Sequence, residues 1–169
     1  GHARLLDRHT VEVAGKTYRA ENILIATGGR PNLPAIEGIE HAITSNEIFD
    51  LPQMPQRVLI VGGGFIAVEF AGILHGLGAK VTLAYRREQL LRGFDDSLRQ
   101  HLHDAMASRG IRVLLHTDIT RLSRLAEGTL DAELKGETSG AENFDAVMYA
   151  TGRVAATEGL GLAEAGVVL

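Results

Sequence analysis

Hydrophobic and polar positions alternate along the middle of the chain with two distinct periods. Residues 57–64 (RVLIVGGG) are an apolar run that ends in glycines, which predicts a buried strand entering a tight turn. Residues 65–78 (FIAVEFAGILHGLG) predict a helix that ends at Gly78 in a left-handed cap, and residues 80–85 (KVTLAY) predict the next strand. The expected apolar face of this helix is Ile66, Phe70, Ile73 and Leu77.

The same reading continues to residue 153. Asp95 or Asp96 can cap a second helix that stops at Gly110, and residues 111–115 (IRVLL) predict a third strand. Residues 118–136 predict a hairpin turning near Glu127, and residues 145–153 (DAVMYATGR) predict a closing strand. The expected apolar face of the second helix is Leu98, Leu102, Ala105 and Met106. This order predicts an α/β fold: a Rossmann-like parallel sheet with right-handed crossovers, completed by a β-meander.

The two ends of the chain are less regular. Residues 3–20 predict antiparallel strands joined at Ala14-Gly15, and residues 23–26 predict a fully buried strand. Residues 30–56 hold all four prolines and predict a loop-rich connection with one helical turn at 45–49, and the final residues look irregular. The segments ILIATGG and VMYATGR, which begin at Ile23 and Val147, share Ala-Thr-Gly after an apolar strand. We interpret them as two connections between the central domain and a neighbouring one.

Composition limits the possible functions. The length of 169 residues suffices for one well-buried domain, and the net charge of −4 gives no general attraction to nucleic acid or to an anionic membrane. No apolar run approaches the ~18 residues of a membrane span, and no charged-then-apolar leader opens the sequence, so we expect a cytoplasmic protein. The absence of Cys excludes disulfides, thiolate nucleophiles and Cys-based zinc sites within these residues.

The glycine-rich turn predicts a dinucleotide site. Gly62, Gly64 and Ala67 match G-x-G-x-x-A between a predicted strand and a predicted helix. Gly62 permits the tight turn, Gly64 leaves room for a pyrophosphate, and Ala67 allows close packing of helix on strand. The helix N-terminus adds N–H donors and the positive end of its dipole.

Positive charge follows the strand at which an NAD-binding protein usually carries an acid. That strand ends in Tyr85 and Arg86, with Arg92 shortly after. Guanidinium groups form bidentate, charge-assisted bonds to phosphate, so Arg86 and Arg92 suit the 2′-phosphate of NADPH, and Tyr85 can flank the adenine. Two such contacts at roughly 1.5–3 kcal/mol each favour NADPH over NADH by about 10²- to 10⁴-fold. The role of Arg87 stays open, because its side chain can point the other way and be solvated.

These stretches together resemble the central part of the flavin-dependent pyridine nucleotide-disulfide oxidoreductases, in particular the glutathione reductase branch. The likeness rests on residues 62–95 (GGGFIAVEFAGILHGLGAKVTLAYRREQLLRGFD), on LIATGGRPNLPAIEG before them and on YATGRVAAT after them. In NAD-using dihydrolipoamide dehydrogenases the position of Tyr85 is typically acidic, so the arginines favour the NADPH-using branch.

The resemblance implies roles for single residues. Gly62, Gly64 and Ile66 would lie against the pyrophosphate, and Glu69 would face the nicotinamide, where relatives pair this acid with a lysine that this chain does not contain. Phe65 stands where relatives often carry a tyrosine that covers the flavin. The other residues implied to lie at the cofactors are Ala150, Gly152 and Arg153, which would close over NADPH, and Thr27 and Gly28, which would mark the junction with an FAD domain.

The resemblance also implies a division of the chain and a reaction. Residues 1–28 and 151–169 would be remnants of an FAD domain, and residues 29–150 would be the NADPH-binding domain. In the parent enzyme, NADPH reduces glutathione disulfide through FAD and a redox-active Cys pair, with a His-Glu pair and homodimerisation supplied by a C-terminal domain. Because this chain holds neither pair, we expect it to bind NADPH without turnover. Two alternatives stay open: a related reductase of trypanothione or dihydrolipoamide, and a stand-alone nucleotide-binding module.

Other polar residues predict no site. His101 and His103 stand two apart on a predicted helix and so point to different faces, which favours solvated surface histidines over a metal site. Asp95 and Asp96 are better explained as helix caps than as an acid/base pair. We therefore expect no metal and no catalytic nucleophile in this part of the protein.

Overall fold

The computed structural model describes all residues from 1 to 169. Two α-helices are present, α1 (Phe65–Gly76) and α2 (Asp96–Ser108), together with 3-10 turns at Ile39–His41 and Glu47–Asp50. The strands are β1 (Ala3–Asp7), β2 (Thr10–Val13), β3 (Lys16–Arg19), β4 (Gly29–Pro31), β5 (Arg57–Val61), β6 (Lys80–Ala84), β7 (Arg112–Leu114), β8 (Thr117–Arg124), β9 (Leu130–Gly136), β10 (Gly140–Phe144), β11 (Ala146–Tyr149) and β12 (Arg153–Ala155).

The chain divides into two compact units. The first comprises residues 1–30 and 153–169, and the second comprises residues 31–152. These divisions lie two residues beyond the boundaries expected at 28/29 and 150/151. The second unit contains both helices and the parallel sheet, so the predicted nucleotide-binding elements all belong to it.

The parallel sheet of the second unit has the strand order β11-β5-β6-β7. Neighbouring strands run in parallel, with Val58 opposite Val81 and Leu83 opposite Val113. The predicted strand–helix–strand succession and its α/β class are therefore confirmed. Two central strands are buried on both faces, which explains why their sequences are continuous apolar runs.

One face of this sheet is covered by the helices. Val58 and Ile60 of β5 share a core cluster with Ala67, Ala71 and Leu74 of α1. Of the apolar face predicted for α1, Ile66 and Phe70 pack against this cluster, whereas Ile73 and Leu77 are exposed and were wrongly assigned to it. The helix instead places its alanines inward, since a small side chain lets a helix pack closely on a flat sheet.

The other face is covered by the antiparallel sheet β10-β9-β8, which is the predicted meander. Leu59 and Val61, which alternate with the helix-facing residues of β5, pack here against Leu122, Leu134 and Tyr149. The hydroxyl of Tyr149 is buried with no hydrogen-bond partner, and burial raises its pKa above the ordinary value. The parallel sheet thus forms the middle layer of a three-layer unit.

Helix α2 begins at the predicted cap. The carboxylate of Asp95 accepts from the backbone N–H groups of Ser97 (2.9 Å) and Leu98 (3.3 Å), and a bond from the Ser97 hydroxyl is the largest cause that lowers the pKa of Asp95. Of the predicted apolar face, Met106 is buried, whereas Leu98 is 61% exposed and was wrongly assigned to the core. The helix ends before Gly110, whose φ of 95° lies in the left-handed region.

An acidic side chain holds the starts of two parallel strands together. Asp145, just before β11, accepts from the backbone N–H (2.7 Å) and the Nη2 (2.9 Å) of Arg57, and from the Gln56 N–H (3.1 Å). The hydrogen bond from the Arg57 side chain is the largest cause that holds the pKa of Asp145 below its ordinary value. This contact lies at the N-terminal ends of β5 and β11, whereas the glycine-rich turn follows the C-terminal end of β5.

The first unit contains the antiparallel sheet β1-β2-β3, with β2 and β3 joined at the predicted Ala14-Gly15 turn. The buried strand predicted at 23–26 was wrong: these residues form no strand, and Leu24 is 89% exposed. An apolar run becomes a buried strand only where neighbouring strands take up its backbone groups, and no strand pairs with it here.

The two Ala-Thr-Gly segments have matching surroundings. Each leads into one strand of the two-stranded sheet β12-β4. The Gly28 carbonyl accepts from the Ala156 N–H and the Gly152 carbonyl accepts from the Asn32 N–H, both at 2.9 Å. The Thr27 and Thr151 hydroxyls donate to Ala156 and Asn32, respectively. The repeated Ala-Thr-Gly sequence thus corresponds to a repeated hydrogen-bonding pattern.

Neither helix is both long enough and apolar enough to pass through a lipid bilayer.

Candidate functional site

Three consecutive glycines connect β5 to α1, and each meets different surroundings. A Cβ on Gly62, whose φ is 143°, would stand 2.4 Å from the Ala150 carbonyl oxygen. A Cβ on Gly63 would stand 2.5 Å from the ring of Tyr85. A Cβ on Gly64 would meet nothing within 4 Å. The turn is therefore closely packed behind Gly62 and Gly63 and open in front of Gly64.

Helix α1 begins at this open side without a side-chain cap. Gly64 is its N-cap, no side chain bonds to the first N–H groups, and the first turn contains no acid. Helix α2, by contrast, is capped by Asp95. Unsatisfied N–H groups and the positive end of the helix dipole favour an anion, so the N-terminus of α1 together with the space at Gly64 suits a phosphate.

The basic segment 85–92 follows β6 and contacts the glycine turn through one aromatic ring and one backbone hydrogen bond. The Tyr85 ring covers Gly63, and the N–H of Leu91 donates to the Gly63 carbonyl at 2.7 Å. Leu90 is fully buried and so anchors the middle of the segment in the core. The structure therefore brings the segment that carries Arg86 and Arg92 beside the predicted phosphate turn.

The far side of the basic segment is bonded to the corner between β7 and β8. Tyr85 donates its N–H to Leu114 (2.8 Å) and accepts from Thr117 (3.1 Å), and the Arg87 carbonyl accepts from the N–H of His116 (3.1 Å). These bonds extend the β6–β7 pairing beyond the last strand residues. The backbone of the segment is thus held from both sides, whereas its basic side chains are exposed.

The guanidinium groups of Arg86, Arg87 and Arg92 form no ion pair. The arginines that do pair with acids are Arg4, Arg30, Arg57, Arg99, Arg112 and Arg121. Glu88, which lies within the segment, is exposed and also unpaired. Since β6 ends without an acid, the segment offers three free cations where a nucleotide's ribose would meet the end of the strand.

The other predicted site residues of the second unit either follow this turn in helix α1 or come just after β11. Phe65 is 60% exposed at the first position of α1, Ile66 is half-buried, and Glu69 is exposed one turn later. Ala150 donates its N–H to the Val61 carbonyl at 2.8 Å, which places the end of β11 beside the turn, and Gly152 follows with φ 123°.

Three predicted residues belong to the first unit. Thr27 and Gly28 use their hydroxyl and carbonyl groups in the bonds to Ala156 described above. Arg153 donates from Nη2 to the carbonyl of Gly29. The side chains of Thr27 and Arg153 and the carbonyl of Gly28 therefore contribute to the connection between β4 and β12.

Sequence reasoning missed two parts of this site. Gly63 was an unspecified position of the motif, although the Tyr85 ring needs it to be glycine. The anchoring role of Leu90 and Leu91 was also missed; the only signal was an apolar pair inside a charged segment.

The histidines form no cluster of three or more potential metal ligands with Asp or Glu. His101 is exposed as expected, but His103 is half-buried, and its Nδ1 and that of His75 are buried without partners.

Comparison with known proteins adds to this geometry. The model of the family described as pyridine nucleotide-disulphide oxidoreductase matches residues 1–169. The chain is 44% identical over 167 residues to glutathione reductase of Nostoc sp., covering 99% of this chain and 36% of that protein. It is 47% identical over 162 residues to glutathione reductase of Burkholderia cepacia, covering 96% and 35%. The chain thus spans little more than a third of the length of these relatives.

Among solved structures, the chain is similar to the HOCl-induced flavoprotein disulfide reductase RclA from Escherichia coli. The TM-score is 0.91 at 27% sequence identity, with 100% of this chain and 39% of that chain covered.

Proposed function

The chain belongs to the pyridine nucleotide-disulphide oxidoreductase family, and from this premise we propose that it is the NADPH-binding domain of a glutathione reductase. The observation that carries the proposal is the group of free arginines on a segment bonded to an open glycine turn. Bound NADPH would supply the hydride that the parent enzyme passes through FAD and a redox-active disulfide to glutathione disulfide.

The residues present suit a dinucleotide. The open space at Gly64 and the uncapped N-terminus of α1 accept the pyrophosphate without displacing any side chain. Arg86 and Arg92 bind the 2′-phosphate through charge-assisted bonds, and their freedom from acids means that no existing ion pair must first be broken. The Tyr85 ring, held against Gly63, offers a surface beside which the adenine lies.

The remaining residues orient the nicotinamide end. Glu69, exposed one turn into α1, would face the nicotinamide, and the exposed Phe65 ring would take the place of the tyrosine with which relatives cover the flavin. Phenylalanine lacks the hydroxyl of the tyrosine common at this position, so this cover would form no hydrogen bonds. Ala150 and Gly152 would close over the nucleotide, and Thr27 and Gly28 would lead to the part of the protein that holds FAD.

Calorimetric titration tests the cofactor. We expect NADPH to bind about 10²- to 10⁴-fold more tightly than NADH, because two charge-assisted contacts to the 2′-phosphate contribute roughly 1.5–3 kcal/mol each. Adenosine 2′,5′-bisphosphate should compete with NADPH, whereas 5′-AMP should compete far less. Equal affinities for NADPH and NADH would refute the assignment of the arginines.

A turnover assay tests whether this chain binds NADPH without catalysing the reduction. We expect no reduction of glutathione disulfide by these 169 residues with NADPH and added FAD, because they contain no Cys to form the redox-active pair. The control is a complete glutathione reductase under the same conditions. Measurable oxidation of NADPH that depends on glutathione disulfide would contradict the proposal that this chain alone only binds.

A further inference from the structure

Arg99 of α2 reaches back from its helix to the basic segment and bonds to the segment's backbone. Its Nε donates to the Leu90 carbonyl at 2.7 Å and its Nη2 donates to the Gln89 carbonyl at 3.1 Å. Its Nη1 donates to the Asp96 carboxylate at 2.7 Å. All three guanidinium nitrogens therefore have partners, and the side chain is only 11% exposed.

The backbone that Arg99 holds has unusual local geometry. Leu91 has a φ of 52°, in the left-handed region that residues other than glycine rarely adopt, and Gly93 follows with φ 91°. Such a turn persists only where its surroundings hold it. Leu91 is bonded to Gly63 on one side, and the bonds from Arg99 to the two preceding carbonyls hold the other side.

We propose that Arg99 is a positioning residue that holds the basic segment in the shape needed for recognition of a nucleotide's 2′-phosphate. The inference rests on the proposed function, since it assigns phosphate recognition to Arg86 and Arg92. We do not assign the phosphate to Arg99 itself, because each of its guanidinium nitrogens already has a partner, its side chain is only 11% exposed and Asp96 pairs with its charge. Its effect is to keep Arg86 and Arg92, which stand on either side of the bonded carbonyls, at a fixed separation.

The proposal predicts a selective loss in Arg99→Ala. Without the two bonds the segment samples other shapes, and if the competent shape falls to about one tenth of the population, the dissociation constant for NADPH rises about tenfold. NADH lacks the 2′-phosphate, so its affinity should stay unchanged. The ratio of the two dissociation constants, measured by calorimetry on the full chain, should therefore fall about tenfold.

Two further variants distinguish a positioning role of Arg99 from an effect of its charge alone and from a loss of folding. Arg99→Lys keeps the positive charge, but one ammonium cannot replace three nitrogens in a planar fork, so its ratio should lie between those of the unmodified chain and Arg99→Ala. Arg109→Ala removes an exposed, unpaired arginine just after the same helix and should leave the ratio unchanged. The NADH affinity of every variant reports whether its site remains folded.

The outcomes distinguish this inference from the proposed function. If the unmodified chain prefers NADPH and Arg99→Ala keeps the whole preference, the positioning role is refuted while the proposed function stands. Full preference in Arg99→Lys with loss in Arg99→Ala would show that charge alone matters, which also overturns positioning. Absence of any preference in the unmodified chain would overturn the proposed function and this inference with it.

Discussion

Replacement of both Arg86 and Arg92 by alanine is expected to weaken NADPH binding by about 10²- to 10⁴-fold and to leave NADH binding unchanged. Each guanidinium contributes roughly 1.5–3 kcal/mol in a charge-assisted contact with phosphate, and every 1.4 kcal/mol changes affinity about tenfold. Neither side chain has an acidic partner in the protein, so its removal leaves no buried charge behind. Calorimetric titration of both nucleotides measures the change.

The matched control removes the same charge from elsewhere in the second unit. Arg109→Ala with Arg124→Ala also takes away two exposed arginines and should leave the preference for NADPH intact. The salt dependence of NADPH binding should become shallower in the Arg86/Arg92 variant alone, because direct ion contacts with phosphate are screened by salt. Retention of the full preference in that variant would show that other groups read the 2′-phosphate.

The fold of the second unit was readable from the sequence because its signals are local. Apolar runs ending in glycine predicted the parallel strands, and helical spacing between them predicted α1 and α2. The buried face of α1 was readable only in part, because the spacing identified Ile66 and Phe70 but also included two exposed residues. Ile73 and Leu77 are more hydrophobic than Ala67 and Ala71, yet close packing of the helix on a flat sheet selects the small side chains.

The strand expected at 23–26 shows that an apolar run alone does not predict a buried strand. Its sequence is apolar enough to be buried, but burial depends on neighbouring strands that must come from elsewhere in a protein. In the first unit no strand pairs with this segment, and Leu24 is exposed.

The sequence predicted which charged residues belong to the candidate site, but not the contacts that hold their segment in place. Arg86 and Arg92 follow from their place after the second parallel strand, a position that the glycine motif defines by spacing. The Tyr85 ring meets Gly63 from a different strand end, and Arg99 bonds to carbonyls nine and ten residues before it, so neither contact belongs to the short-range spacing pattern of a helix or a strand. The sequence therefore predicts which groups would meet a ligand, and the structure adds the contacts that hold the segment carrying those groups.

A threonine at position 64 is expected to abolish tight binding of both nucleotides without destabilising the protein. Gly64 has φ −86° and ψ 178°, values that a β-branched residue adopts readily, and its Cβ position is open. Threonine and glycine are about equally good N-caps, so the helix should keep its stability. The threonine side chain would fill the space for the pyrophosphate and bond to the same N–H groups, which at roughly 1–3 kcal/mol raises both dissociation constants about 10- to 100-fold.

Two other glycines make this prediction specific to the open position. Gly62→Ala should lower the melting temperature, because its Cβ would stand 2.4 Å from the Ala150 carbonyl oxygen and its φ of 143° strains any other residue. Gly72→Ala, in the exposed face of α1 with nothing within 4 Å, should leave binding unchanged and stabilise the helix slightly. Calorimetry and thermal unfolding of the three variants test this separation. Unchanged NADPH affinity in Gly64→Thr would mean that the pyrophosphate does not lie at the N-terminus of α1, and the proposed orientation of the nucleotide would then be wrong.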